Sequence, residues 1–351
     1  MPVPAEPSRV GIRDVAKAAA VSIMTVSLAL RNHPKISAAT RERVQRLAGE
    51  IGYRPDPEIT RLMTRLHVRK SAGLAPMAIV DVSSSRSAEK SDYSVHVREG
   101  AVRRARELGY SEACFHRMDY DGDLRRLLSV IRHRGIEGVL LLPPVAPVEL
   151  DPFLDWSGLS VIAATYAVTP WRFHLVVPNH FIDMCTLLAL LEAHGFTRIG
   201  AVLQDNFEAR THHQLTGAFA LHGHRGRILR VPDPQNLRPS IIDSWLKEAQ
   251  PDVLICPFSA QLRAALPKRS PRNRPLPEIV SLRSDDASTR FYWDELPADI
   301  GSHAASLLAG IMTHHETGLP ASPRTSMIHG RFVDRATMHS GKTALAAGTP
   351  A

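Results

Sequence analysis

The fold of the N-terminal part of the chain is decided by residues 11–55, whose sequence is GIRDVAKAAAVSIMTVSLALRNHPKISAATRERVQRLAGEIGYRP. Its apolar residues recur at the three- and four-residue spacing of one helix face. In the first predicted helix these residues are Ile12, Val15, Ala16 and Ala19. A second short helix is predicted after the cap Ser22, and a third runs from the cap Ser37 to Ile51, just before Gly52. Two short helices about three residues apart, followed by a third, indicate a helix-turn-helix, although other three-helix bundles share this pattern.

The positive charge of the chain is concentrated in the same region. The 351 residues carry a formal net charge of +8. Residues 1–75 contain 13 Lys and Arg against 6 Asp and Glu, a net of +7, whereas residues 76–351 carry a net of +1. A basic module joined to a nearly neutral body favours a polyanionic partner, most often nucleic acid. A basic tail without a partner is the alternative.

Composition and motifs exclude several other classes of protein. With 44% hydrophobic and 22% charged residues, the chain is not typical of a disordered protein. It has neither an apolar run of roughly 18 to 20 residues nor a signal-peptide pattern, so we expect a soluble, cytoplasmic protein without a membrane partner. Cys114, Cys185 and Cys256 lack the paired spacing of a disulfide framework or metal site. No catalytic or dinucleotide-binding motif is present, so no enzyme activity, cofactor or metal is predicted.

Four groups of residues in the N-terminal region carry a resemblance to a known family. They are Ile12-Arg13-Asp14-Val15-Ala16, Val21-Ser22 with Thr25-Val26-Ser27, Ser37-x-x-Thr40-Arg41-x-Arg43-Val44, and Gly52-Tyr53-x-Pro55. Together they are similar to the DNA-binding headpiece of the lactose/galactose repressor (LacI/GalR) family. The resemblance implies a sequence-specific transcriptional regulator, a repressor by the habit of the family, that binds a pseudo-palindromic operator in double-stranded DNA as a homodimer.

The resemblance also implies roles for individual headpiece residues. It places the second helix in the major groove, with Ile23 and Met24 at the leading base-contacting positions. The residues implied to contact the phosphate backbone are Ser22, Ser27, Thr40 and Tyr53. For Tyr53, a ring packed in the headpiece core is an equally supported alternative. The other residues predicted to contact DNA are Arg13, Thr25, Leu28, Arg31, Lys35 and Ser37.

Leu28 stands where many members of the family have an arginine. An aliphatic side chain cannot make the bidentate contact with guanine that is worth roughly 1–3 kcal/mol of discrimination. Because Ile23 and Met24 are apolar as well, base recognition is expected to depend on contacts with thymine methyl groups, assisted by Arg13 or Arg31. The sequence therefore predicts an operator half-site without a strongly preferred guanine at this position.

Residues 55–69 are predicted to form a hinge helix that follows the headpiece, residues 10–54. Asp56 as the cap and Pro57 at the first helical position are start signals. A helix of about ten residues is marginal in water, so this one needs a partner. The resemblance implies that Leu62 is inserted from the minor groove between the central base pairs. The alternative is that Leu62 only joins the two hinge helices of a dimer.

Strand-like and helix-like segments alternate from residue 76 to residue 335. Apolar runs such as Met77–Val82 and Val253–Cys256 alternate with amphipathic segments such as Ile182–His194. This pattern predicts an α/β body with two lobes, each a parallel sheet covered by helices, and a cleft between them. The span resembles the periplasmic-binding-protein-like effector and dimerisation domain of the same family, which implies a small-molecule effector in the cleft. Residues 336–351 are predicted to be a flexible tail.

The predicted effector-binding residues follow the ends of strands. They are Ser83, Arg86, Tyr93, Asn179, Arg210, Gln214 and Arg283, and ordinary loop solvation is the alternative for each. Compared with the family, Gln214 replaces an arginine and Arg283 replaces a sugar-binding carboxylate. Because an arginine favours a carboxylate or phosphate, we expect an acidic or atypical effector, such as a sugar acid rather than a sugar. A cleft that no longer binds an effector is the other possibility.

Overall fold

The computed structural model describes residues 10–33, 35–53, 74–85, 92–170, 172–223, 227–267, 275–283 and 289–338. The hinge segment 55–69, which includes Leu62, lies outside the described residues, and so does Arg86. What the sequence predicts for them stays a prediction. None of the described helices is long and apolar enough to cross a membrane.

The headpiece is a bundle of three helices. They are α1 (Ile12–Ala18), α2 (Ile23–Leu30) and α3 (Ala38–Glu50). The two predicted caps are confirmed, since Ser22 Oγ accepts a hydrogen bond from the Thr25 N–H at 3.0 Å and Ser37 Oγ accepts one from the Thr40 N–H at 3.3 Å. The small core between the helices consists of Val15, Ala16, Ala19, Val26, Ala29, Val44 and Ala48.

The body is built from alternating strands and helices, as the sequence predicts. Its strands are β1 (Pro76–Asp81), β2 (Ser111–His116), β3 (Gly138–Leu141), β4 (Val148–Glu149), β5 (Ser160–Ala163), β6 (Val168–Thr169), β7 (His174–Pro178), β8 (Ile199–Gln204), β9 (Ile228–Val231), β10 (Val253–Cys256), β11 (Glu278–Ser281), β12 (Phe291–Asp294), β13 (Thr325–Ile328) and β14 (Arg331–Asp334). Its helices are α4 (Asp92–Glu107), α5 (Leu124–His133), α6 (His180–Ala193), α7 (Asp205–Arg210), α8 (Gln214–Leu221), α9 (Pro239–Ala249), α10 (Ser259–Ala265), α11 (Pro297–Thr313) and α12 (Arg335–Met338). Because α12 includes residues 336–338, the start of the predicted flexible tail is helical.

The first lobe contains a parallel six-stranded sheet in the order β13-β7-β5-β3-β1-β2. Side chains of successive strand residues point to opposite faces. Met77 and Ile79 of β1 therefore pack with α4 and α11, whereas Ala78 and Val80 pack with α5. Burial on both faces explains why β1 is a nearly continuous apolar run rather than an alternating one.

The second lobe contains a six-stranded sheet in the order β14-β12-β11-β10-β8-β9, in which β14 is antiparallel to β12. Helices α6 and α8 cover one face of this sheet, and α9 and α10 cover the other. The chain passes between the lobes from β7 to α6, from β12 to α11 and from β13 to β14. The two predicted α/β lobes are thus confirmed, joined by three crossing segments.

Two glycines let helices α4 and α11 of the first lobe touch through their backbones. A Cβ atom added to Gly301 would lie 1.8 Å from the carbonyl oxygen of Val97, and one added to Gly100 would lie 1.9 Å from that of Ala298. Real Cβ atoms never approach backbone so closely. The crossing therefore requires residues without a side chain at both positions.

We expect Gly301→Ala to lower the free energy of unfolding by about 3 kcal/mol, because a backbone carbonyl cannot move aside as a side chain can. Urea-induced unfolding measures the change. Gly310→Ala, on the same helix, is the matched control, since a Cβ added to Gly310 has no atom within 4 Å. It should be neutral or stabilise the protein by up to about 1 kcal/mol. Equal losses for both variants would contradict the close crossing.

Candidate functional site

The N-terminal end of α2 presents two apolar side chains to solvent. Ile23 is 46% exposed and Met24 is 61% exposed, although most large apolar residues of the chain are buried. They are the first two residues of the helix, next to the exposed cap Ser22. In helix-turn-helix proteins, the N-terminal residues of the second helix contact the edges of bases. The position and exposure of this pair are therefore compatible with base contacts.

The rest of α2 presents a more enclosed surface. Ser27 and Leu28 are half-buried. Arg31 donates a hydrogen bond from Nε to the Ser27 carbonyl oxygen at 3.2 Å, and its guanidinium also contacts the Ser27 hydroxyl. Thr25 is half-buried, and its hydroxyl lies 2.9 Å from the Ser22 hydroxyl. Contacts of these residues with phosphates stay predictions.

The remaining predicted DNA-contacting residues differ in exposure. Arg13, Lys35 and Ser37 are exposed, and Thr40 is half-buried. Tyr53 is half-buried and packs against the headpiece core, as the alternative interpretation of its ring expects. A contact of its hydroxyl with DNA stays a prediction.

A cavity of about 530 Å³ lies between the two lobes. Segments that follow the carboxyl ends of β3, β5 and β7 line it from the first lobe, and segments that follow β8, β10 and β11 line it from the second. Its volume is within the range of small-molecule sites in proteins. In α/β proteins with parallel sheets, ligands bind at this edge of the strands.

The structure brings three of the predicted effector-binding residues together at this cavity. They are Tyr93 at the start of α4, Arg210 at the end of α7, and Arg283 after β11. Arg283 bridges the lobes, because its Nη2 lies 3.1 Å from Oδ2 of Asp92 at the start of α4. Burial raises the pKa of the Tyr93 hydroxyl well above its usual value, and the nearby Glu295 carboxylate adds to this effect. Tyr93 is therefore a neutral hydrogen-bond donor.

Three other predicted effector-binding residues have structural contacts and do not line the cavity. Ser83 is buried after β1, and its N–H donates to Asp81 at 2.9 Å. Asn179 is the N-cap of α6, and its side chain accepts a hydrogen bond from the Ile182 N–H. Gln214 is the first residue of α8, and its side chain opposes the rise that burial causes in the pKa of the Tyr166 hydroxyl.

Several cavity residues were missed by the sequence analysis, notably Tyr166, His180, Phe207 and Glu295. His180 Nδ1 lies 3.1 Å from Glu295 Oε1, and both side chains are nearly buried. The His180 ring also lies 6.1 Å from the rings of Tyr166 and Phe207. Tyr166, His180 and Phe207 all follow strand ends, so the rule that selected Tyr93 and its companions applies to them as well. Glu295 follows β12, a strand that was not predicted.

A buried carboxylate lies where the chain passes between the lobes. Asp183 of α6 accepts hydrogen bonds from the Gly330 N–H at 3.0 Å and the Trp293 indole at 3.3 Å, both at Oδ2. Its Oδ1 lies 3.3 Å from Nδ1 of His329. Burial raises the pKa of Asp183, and Glu295 raises it further, while these hydrogen bonds oppose the rise.

As pH rises, we expect the free energy of unfolding to fall less for Asp183→Asn than for the unmodified chain. Because its pKa is raised in the folded protein, Asp183 contributes stability that is fully present below the usual carboxyl pKa and is lost as pH rises through the raised value. An asparagine can accept the two hydrogen bonds at Oδ2 and donate to His329 without titrating.

Urea-induced unfolding of both proteins at several pH values between pH 4 and pH 8 measures the difference. The variant should gain stability relative to the unmodified chain as pH rises, and this difference should level off at the highest pH. A loss of stability in Asp183→Asn that is the same at every pH would contradict the expected titration.

The fold and the headpiece define a helix-turn-helix protein with a two-lobed α/β body. Residues 11–56 match the family described as bacterial regulatory proteins, lacI family. The headpiece therefore matches the lacI family, and the resemblance found in these residues of the sequence is confirmed.

Two relatives with known names support this assignment. Over 213 residues the chain is 46% identical to the HTH-type transcriptional repressor CytR of Escherichia coli strain K12, in a match that covers 59% of this chain and 57% of that protein. Over 130 residues it is 29% identical to the HTH-type transcriptional regulator DegA of Bacillus subtilis strain 168, covering 37% and 35%. The chain thus spans little more than half the length of the first of these relatives.

The fold is similar to that of solved structures. The crystal structure of the lac repressor dimer bound to operator and the anti-inducer ONPF aligns with a TM-score of 0.51 at 15% identity, covering 93% of this chain and 98% of that chain. At this identity the likeness shows the fold alone. It confirms the predicted combination of an all-α headpiece and a two-lobed periplasmic-binding-protein-like body.

Proposed function

We propose that this protein is a sequence-specific DNA-binding transcriptional regulator, a repressor, whose affinity for its operator is modulated by a small molecule in the cavity between the lobes. The observation that carries the proposal is the exposed N-terminal end of α2 in a lacI-family headpiece, with Ile23 and Met24 facing solvent. The name of the relative CytR, a transcriptional repressor, supports repression rather than activation.

The charge distribution supports DNA as the partner. Residues 1–75 carry a net charge of +7, whereas the body is nearly neutral. Lysines and arginines that contact phosphates release condensed counterions, so affinity for DNA should fall steeply as the salt concentration rises. The body contributes little to this effect, because its positive and negative side chains balance.

We also propose that the protein acts as a homodimer. A single headpiece presents one short helix, which reads only a few base pairs, and two such helices about 34 Å apart read the two halves of a pseudo-palindrome. The lac repressor, whose fold is similar, is described as a dimer on its operator.

The cavity supports control by a small molecule because both lobes line it. A ligand that binds one arrangement of the lobes more tightly than another shifts the protein toward that arrangement. Glu295, which lines the cavity, lies in the crossing segment between β12 and α11. The ligand and the segments that set the lobe positions are therefore in direct contact.

A regulator that does not respond to an effector is the second candidate. It is favoured by the ion pair between Arg283 and Asp92, in which a cavity arginine is paired with a carboxylate of this same chain. In that case the cavity has lost its ligand and the headpiece alone determines the activity.

Selection from random double-stranded DNA tests the proposed recognition. We expect enrichment of a pseudo-palindrome whose half-sites contain thymines facing Ile23 and Met24, without an invariant guanine opposite Leu28. The variant Leu28→Arg should select a guanine there, with a preference of roughly 1–3 kcal/mol over the other bases.

The matched control is Leu28→Met, which changes the shape of the side chain but adds no hydrogen-bond donor. It should leave the selected base at this position unchanged. Failure of the unmodified protein to enrich any sequence would contradict the proposed function, and an invariant guanine opposite Leu28 would contradict the proposed mode of reading.

A further inference from the structure

Arg210 is a half-buried cation without an ion-pair partner among the described residues. It lines the cavity, and its Nε is fully enclosed and forms no hydrogen bond in the described part of the chain. Its Nη1 reaches only the carbonyl oxygen of Pro144, at the long distance of 3.5 Å. Buried polar groups in folded proteins nearly always have a hydrogen-bond partner, so this guanidinium stands out.

The carboxylate of Glu295, which acts most strongly on Arg210, already contacts another side chain. Glu295 attracts Arg210 electrostatically, but Glu295 Oε1 is held by His180 Nδ1 at 3.1 Å. Burial lowers the pKa of the Arg210 guanidinium, and the positive charge of Arg283 lowers it further. A buried charge is unfavourable unless an opposite charge and hydrogen bonds compensate for it.

Arg283 supplies a second cation to the same cavity. It is close enough to disfavour the charge of Arg210, and its contact with Asp92 leaves both side chains about half exposed. Exposed ion pairs contribute only about 0–1 kcal/mol. A ligand anion can therefore replace Asp92 as the partner of Arg283 with little loss of free energy. The same anion supplies Arg210 with a compensating charge.

The walls next to Arg210 favour a ring-shaped ligand body. The Arg210 guanidinium lies over the ring of Phe207, 5.5 Å from its centre. Tyr166 and His180 continue this aromatic wall. Tyr93 adds a neutral hydroxyl, and the Glu295 carboxylate can accept hydrogen bonds from ligand hydroxyl or amino groups.

We propose that the ligand of this cavity is a small organic anion, whose carboxylate or phosphate group binds Arg210 and Arg283 and whose ring lies against Phe207 and Tyr166. The inference rests on the proposed function, since it names the chemical class of the effector. Guanidinium groups bind both kinds of anion through parallel hydrogen bonds, so the two share one recognition chemistry.

Inorganic phosphate is the first probe, because it presents the anionic group alone. We expect phosphate to raise the melting temperature of the full chain saturably, compared with sodium chloride at the same ionic strength. Arg210→Gln should weaken the apparent affinity for phosphate at least tenfold. Arg210→Lys keeps the charge without the paired donors, so its affinity for phosphate should lie between those of the unmodified chain and Arg210→Gln. No response of the unmodified protein to phosphate would overturn the proposal.

The matched control is Arg103→Gln, which removes an exposed arginine of α4 that does not line the cavity. It should leave the phosphate response unchanged. If Arg103→Gln and Arg210→Gln reduced the response equally, general electrostatics would explain it and the proposal would be wrong. Without phosphate, Arg210→Gln should melt no lower than the unmodified chain, because it removes a half-buried charge that has no ion-pair partner among the described residues. This comparison separates loss of binding from loss of folding.

Matched pairs of probes distinguish the source of the anion. D-gluconate is compared with D-glucose for a carboxylate, and D-ribose 5-phosphate with D-ribose for a phosphate. We expect the charged member of at least one pair to bind at least tenfold more tightly than its neutral partner, and this preference should disappear in Arg210→Gln. Neutral members that bind as tightly as the charged ones would overturn the proposal.

Binding to the DNA selected by the unmodified protein is measured separately, without any of these probes. If the protein selects no DNA sequence, the proposed function fails, whatever the cavity binds. If DNA selection succeeds and phosphate has no effect, only the inference about the anion fails.

Discussion

The hydrogen bonds of the Asp183 carboxylate hold together the place where the two lobes meet. Asp183 lies in α6, just after the first crossing segment, and it binds Gly330 in the third and Trp293 before the second. The strand ends next to the second and third crossing segments are also joined, because Arg331 Nη2 at the start of β14 lies 3.0 Å from Asp294 Oδ2 at the end of β12. The position of one lobe relative to the other, and hence the shape of the cavity, depends on this cluster.

The contact between His180 and Glu295 belongs both to this cluster and to the cavity. His180 begins α6 after the first crossing, and Glu295 lies in the second. A ligand that binds Glu295 in place of His180 weakens a contact that holds two crossing segments together, whereas a ligand that binds beside this contact preserves it. A ligand can shift the lobes only if its affinity differs between two of their arrangements.

Local signals in the sequence predicted most of the fold. The caps Ser22 and Ser37 predicted the starts of two headpiece helices, and the predicted strand Val253–Cys256 has the same bounds as β10 in the structure. The strands β12 and β14 were missed, and the structure joins them by antiparallel pairing. Such pairing joins distant parts of the chain, and a single short segment gives no sign of it.

The same limit applies to the ligand site, where residue type alone favoured Arg283 as the anion-binding side chain. The structure pairs Arg283 with Asp92, which lies 191 residues earlier in the chain. It also encloses Arg210, whose Nε has no partner in the described part of the chain. The rule that ligand-binding residues follow strand ends selects both arginines, but only the packing of the two lobes determines which guanidinium has an enclosed nitrogen. Because an enclosed guanidinium nitrogen without a partner depends on a counterion more than an exposed, paired guanidinium does, Arg210 rather than Arg283 should dominate the choice of ligand.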